Sequence, residues 1–219
     1  MISDKAPEWP VERLWLWQLI FPPIRAIVMA LLRVRVEGRE NLPRSGPYIV
    51  VANHINWKDP PLISIALGLS VRYMAKIQAF GYPVLGYFVR ATGAFPVRRG
   101  EGDRRALVTA LRVLAGGQIL GFFAEGHRSE SGALQRGKPG IGFIASRVPD
   151  APLVPIGMIG TNQSLLRLMF GGHAVLRVGR PFHLADLTEE ERRNEQAVTD
   201  AVMRRIAALL PDEMRGVYL

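Results

Sequence analysis

The stretch YIVVANHINWKDPPLISIALGL, residues 48–69, decides the fold. Its opening run, 48–52, is apolar and partly β-branched and reads as a strand, and Pro60-Pro61 then introduces a helical pattern over 61–69. Outward from this unit the alternation recurs. Strand-like runs lie at 71–75, 94–97, 119–123, 153–158 and 174–178, and helical patterns at 83–91, 103–115, 140–147 and 189–210. The last helix opens on a Thr188/Glu191 capping box and ends before Pro211. Strands alternating with helices predict an α/β fold, a mostly parallel central sheet flanked by helices, with ligand residues where strands give way to loops.

In the first such loop, His54 and Asp59 are separated by four residues. On an ideal helix their side chains would lie about 140° apart, so they meet only if the chain turns between them. The prolines supply that turn, with His54 ending the strand and Asp59 placed to cap the helix. A histidine takes a proton near neutral pH, and an adjoining carboxylate fixes its tautomer and stabilises the imidazolium. Such a pair can activate a hydroxyl, although an isolated H-x4-D is as readily a loop cap beside a helix cap.

The chain has 219 residues, 48% of them hydrophobic, with mean hydropathy +0.11 and net charge +9. That suits one α/β domain over 36–219 with a short appendage over 1–35. Without cysteine there is no disulfide framework, thiolate zinc site or cysteine nucleophile. Residues 72–138 contain eleven basic and four acidic side chains, while 139–219 hold nine of each. The middle block therefore reads as a site for anions. An apolar, arginine-rich chain suits anionic lipid and phosphorylated substrates better than nucleic acid.

Within that block Lys76 ends a strand, Arg98-Arg99 follow another, and Phe123-Ala124-Glu125-Gly126-His127-Arg128-Ser129 closes a very apolar one. Paired guanidinium groups suit bidentate contact with phosphate. A near P-loop at 132–139 has Pro139 where a hydroxyl would bind Mg²⁺, and His127, His173 and His183 lack metal-ligand spacing. No metal site is expected. The aromatics Phe80, Tyr82, Tyr87 and Phe88, with Leu85, are candidates to wall an acyl groove or simply to pack.

These residues, in this order, resemble the PlsC-like glycerolipid acyltransferases, the family of 1-acylglycerol-3-phosphate acyltransferase. Its N-H-x4-D block corresponds to Asn53, His54 and Asp59, and its alanine-lysine to Ala75-Lys76. Its G-x-x-x-[VI]-D-R block resembles 93–99, F-P-E-G-T-R-S resembles 123–129, R-G-K-x-G resembles 136–140, and V-P-[VI] resembles 154–156. Arg98 stands where the family usually has Asp, Ala124 where it has Pro, and His127 where it has Thr. These departures bear on acceptor identity more than on reaction type.

The resemblance, which covers residues 42–162, implies a membrane-associated enzyme. It would move a fatty acyl group from an acyl carrier protein or coenzyme A thioester to the sn-2 hydroxyl of 1-acylglycerol-3-phosphate, giving phosphatidic acid. The alternatives are another lysophospholipid or lyso-aminolipid acceptor, or a non-catalytic module on anionic membrane. It implies His54 as base and Asp59 as its orienting partner. Lys76, Arg99 and Arg128 would hold the phosphate, with Arg98 and Lys138 in addition, Glu125 would bond the glycerol, and Gly126 would admit close backbone approach. No acyl-enzyme and no cofactor beyond the thioester is expected, in keeping with the absence of a G-x-S-x-G elbow.

The amino terminus carries no basic export signal. Pro22-Pro23 divides the apolar stretch 14–32 into runs each too short to span a bilayer core of about 30 Å. With Trp9, Trp15 and Trp17 and with Arg25, Arg33 and Arg35, the segment is expected to form an interfacial two-helix membrane-binding motif. The expected location is the cytoplasmic face of a bacterial inner or plasma membrane.

Overall fold

The five residues Tyr48–Ala52 form a strand in which every side chain is at most 1% exposed, because strands pair on either side and helices cover both faces. The structure is a computed structural model that describes residues 14–83, 86, 89–90, 92–98 and 103–219, with the backbone alone described over 14–21. Among them seven strands form one sheet: β1 (Val34–Glu37), β2 (Tyr48–Ala52), β3 (Val71–Lys76), β4 (Phe95–Val97), β5 (Ile119–Phe123), β6 (Leu153–Ile159) and β7 (Ala174–Val178). Their order is β1-β7-β6-β2-β5-β3-β4. Every neighbouring pair is parallel except β6 with β7. The predicted mostly parallel α/β sheet is therefore present.

On one face α1 (Leu14–Leu31) and α2 (Asp59–Leu67) pack over β2 and β6, with Leu62, Ile63 and Leu67 buried and Val28, Met29 and Leu32 set against them. On the other, α3 (Arg104–Ala115), α4 (Gly140–Arg147) and a carboxy-terminal helix cover Ile49, Val51 and Leu120. A Cβ on Gly142 would run into the backbone carbonyl of Glu195, so glycine lets α4 cross that helix with the backbones almost touching. Two short elements had no clear periodic signal: the edge strand β1 and α5 (Leu165–Phe170), capped by Ser164.

Two expectations need correction. The 189–210 pattern is not one helix but two, α6 (Glu189–Arg192) and α7 (Glu195–Ala207). Asn194 turns extended between them, and its side chain accepts from Ala197 N at 2.9 Å, starting a new helix. The expected break at Pro22-Pro23 is also missing, since both prolines lie inside the single helix α1. Each proline removes only its own bond to the carbonyl four residues back, and both prolines are exposed. The helix is not long and apolar enough to cross a membrane, nor is any other among the described residues. Trp9 lies outside those residues, as do the side chains of Trp15 and Trp17.

Candidate active site

Past β2, Asn53 extends the sheet with its side chain. Its amide donates to Met158 O at 2.9 Å and accepts from Met158 N at 2.7 Å, which fixes where the next residue leaves the strand. That residue is His54. The chain then folds back so that Asp59 faces it, with His54 Nδ1 and Asp59 Oδ2 3.0 Å apart.

The Asp59 carboxylate is 0% exposed yet fully solvated by protein. Oδ2 accepts from the imidazole and from Ile55 N (2.8 Å) and Asn56 N (2.7 Å), and Oδ1 accepts from Thr161 Oγ1 (2.6 Å). Four donors compensate the loss of water. Asp59 was expected to cap α2; instead its carboxylate reaches back to the residues before it, and no side chain caps that helix. Facing an acceptor-only carboxylate, His54 carries its proton on Nδ1, which leaves Nε2 as the basic atom. The ring stacks on Phe123 at 4.2 Å, and Phe123 stacks on Tyr73 at 5.7 Å. Gly121 lacks the Cβ that would strike the Tyr73 ring.

Glu125 is also buried, at 1% exposure. Its Oε1 accepts from His54 N at 2.9 Å and its Oε2 from Gln135 N at 3.1 Å. Burial pushes the carboxyl up to about 7, against the opposing pull of those two N–H groups, and the nearby Asp59 charge adds to the rise. Ser129 N donates to His54 O at 2.7 Å. Both backbone polar groups of His54 are thereby held by the segment that follows β5. With both oxygens engaged by backbone, Glu125 here holds the histidine, a task distinct from the glycerol contact expected of it.

The described cationic residues emerge at the same carboxyl end of the sheet. Lys76 is exposed at the end of β3, opposite Val97 in the β3–β4 register, which brings Arg98 alongside. Lys138 extends across Gly126, where φ is +76° and an added Cβ would come within 3.0 Å of the lysine chain. Arg128 is exposed next to Ser129. Arg99 lies outside the described residues. Arg98, Gly126 and Lys138 border a cavity of about 340 Å³ whose walls include Met74, Leu107 and Phe143. Both Phe122 and Phe123 border it, although Phe122 belongs to the core on one side of the sheet and Phe123 stacks on His54 on the other. Phe80 and Tyr82, the described members of the expected groove aromatics, are not among its walls. Tyr82 is exposed and Phe80 lies under Arg90, while Leu85, Tyr87 and Phe88 are outside the described residues. Thr161 had not been singled out, although it ends the strand beside β2 at the same sheet edge as His54, which is the signal that could have found it.

A histidine paired with a buried aspartate at the carboxyl end of a mostly parallel sheet, near a largely apolar cavity bordered by Arg98, Lys138, Asp103 and Glu195, is an arrangement able to activate a hydroxyl for acyl transfer. Comparison with known proteins agrees. A family profile described as Acyltransferase matches residues 33–159. The 1-acyl-sn-glycerol-3-phosphate acyltransferase of Bacillus subtilis is 32% identical over 181 residues, covering 80% of this chain and 87% of the relative. The lyso-ornithine lipid O-acyltransferase of Pseudomonas aeruginosa is 30% identical over 208 residues, 85% of this chain and 77% of the relative. The crystal structure of the 1-acyl-sn-glycerophosphate acyltransferase PlsC from Thermotoga maritima superposes with TM-score 0.69 at 24% identity, covering 91% of this chain and 82% of that one, a likeness of fold. The chain belongs to the Acyltransferase family, in its PlsC-like branch. It is an acyltransferase.

Proposed function

We propose that the protein transfers a fatty acyl group from an acyl carrier protein or coenzyme A thioester to the sn-2 hydroxyl of 1-acylglycerol-3-phosphate, yielding phosphatidic acid. His54 Nε2 removes the hydroxyl proton as the alkoxide oxygen attacks the thioester carbonyl, and the tetrahedral adduct collapses by breaking the C–S bond. The departing thiolate takes the proton back from the imidazolium, so no group on the enzyme is consumed. Asp59 stabilises the transient imidazolium, and Glu125 and Ser129 keep the ring in place. Lys76, Arg98, Arg99, Arg128 and Lys138 hold the acceptor phosphate, and the cavity beneath Phe122 takes acyl chain. The activity would be exercised at the cytoplasmic face of a membrane, which supplies the acceptor.

The observation that carries this reading is the 3.0 Å contact between His54 and a fully buried, four-donor carboxylate at the carboxyl end of the sheet. The lyso-ornithine acyltransferase relative, together with Arg98 in place of the family's usual Asp, favours a second reading in which the acceptor is a lyso-aminolipid. A panel of lysolipids offered with each thioester, read by mass spectrometry of the products, separates the two. In the same assay His54→Ala should lose at least about 10³-fold of the turnover. Residual activity near wild type would refute the mechanism for every acceptor.

A further inference from the structure

Helix α5 is only six residues long, and it turns its largest apolar side chains to solvent. Leu168 anchors it in the core at 0% exposure, while Leu166 is 68% and Phe170 80% exposed, with Leu165 also outward. Single exposed leucines are ordinary, but several large apolar groups projecting from one short element mark an interaction surface. On α1 a second set, Ile24, Ile27 and Leu31, recurs at helical spacing and is exposed, on the arc adjoining Val28, Met29 and Leu32, which pack inward. Trp57, between His54 and Asp59 in sequence, is 62% exposed.

The sheet topology brings these groups to one edge. β1 begins three residues after the end of α1, and its first residue, Val34, pairs with Ala174, the first residue of β7 and four beyond Phe170. Because β7 runs antiparallel to β6, and β6 parallel to β2, the edge where β7 starts is the edge where β2 ends at His54. The loop leading into α5 is fastened to the catalytic turn at two points. Thr161 Oγ1 donates to Asp59, and Lys58 Nζ donates to Gln163 O at 2.7 Å. Anything that seats α5 therefore seats the dyad.

The charge pattern selects the occupant. Residues 160–174 contain Arg167, which is exposed, and no carboxylate; residues 14–36 contain Arg25, Arg33 and Arg35, again with no carboxylate. Protruding leucine and phenylalanine beside exposed arginines, with no carboxylate in either stretch, is the composition that enters the headgroup boundary of an anionic leaflet. We propose that α5 and Trp57, beside α1, form a lipid-facing rim that seats the His54–Asp59 site on an anionic membrane surface. The proposal rests on a bilayer-resident acceptor for its purpose, but the surface itself is tested without turnover.

The full-length chain carrying Leu166→Ser with Phe170→Ser is compared with wild type in sedimentation with phosphatidylglycerol-containing vesicles. Both side chains are exposed, so the thermal midpoint should be unchanged. Partition onto the vesicles should fall about 10- to 100-fold. Activity on a vesicle-borne acceptor should fall with it, whereas activity on a short-chain, water-soluble lysolipid without vesicles stays at the wild-type level. Arg167→Glu should weaken binding to phosphatidylglycerol vesicles while leaving the weaker binding to pure phosphatidylcholine unchanged. Partition of the double variant within about twofold of wild type overturns the proposal. So does an equal loss on the soluble acceptor, which would mean a damaged site, or a change of oligomeric state or of donor KM with vesicle binding intact, which would mean a protein partner. If no lysolipid is acylated at all, the functional reading fails while the sedimentation result still decides the surface.

Discussion

Two buried carboxylates flank one histidine, and they are not alike. Asp59 collects an imidazole N–H, two backbone N–H groups and a threonine hydroxyl. Glu125 collects only two backbone N–H groups, and burial raises its carboxyl to about 7. Depth in the protein does not distinguish them, since exposure is 0% for one and 1% for the other. The number and kind of donors do. The carboxylate of Asp59 meets the imidazole itself, while that of Glu125 meets only backbone and acts as a brace whose charged form burial opposes.

The sharpest break of this contrast is Asp59→Asn, which keeps shape but puts an amide opposite Nδ1 and disturbs the tautomer. Turnover should fall by about 10³- to 10⁴-fold with little change in KM, measured by steady-state kinetics. A loss below about tenfold would mean that Asp59 is no more than a brace too.

Glu125→Gln comes next. The amide can accept only one of the two N–H groups, so His54 or Gln135 loses its partner, and turnover should fall about 10- to 100-fold. The same variant isolates a pH effect. Because the fold prefers the protonated Glu125, that group's contribution is complete below the ordinary value of 4.5 and is lost as pH climbs through about 7. Wild type should thus lose stability on the order of 3 kcal/mol between these limits from this group alone. Urea unfolding should show the wild-type advantage over Glu125→Gln to be larger near about pH 5 than near about pH 8. A gap that widens with pH would contradict the raised value.

Thr161→Val is the mildest test. It leaves Oδ1 of Asp59 without a donor in a dry site, for about 1 to 3 kcal/mol of stability and about a tenfold drop in turnover. Thr161→Ser should restore both. If valine is silent in the pH–rate profile and in turnover, three donors suffice for Asp59 and the contrast with Glu125 narrows.

How much of this was legible depended on how local each cause is. β2 and β5 were readable because their burial leaves unbroken apolar runs. β1, with the sequence VRVE at the sheet edge, is too short and too charged to stand out, and the six residues of α5 span fewer than two helical turns. The H-x4-D spacing pointed to the dyad, but the direction in which Asp59 turns is set by backbone donors rather than by helix propensity. Thr161 meets Asp59 across 102 residues of sequence, and Gln135 reaches Glu125 through a backbone N–H that no side chain announces. Ordered motifs told which residues gather; only topology told which of them hold the others.

β5 ends as a partition. Phe122 belongs to the core on one side of the sheet and Phe123 to the other, where it meets the imidazole, yet both border the cavity, as do Ala124 and Gly126 just beyond them. A methyl group at position 126 would press on the Lys138 chain there, at a backbone angle of +76° that side chains rarely adopt, so the end of this strand has room for a backbone alone.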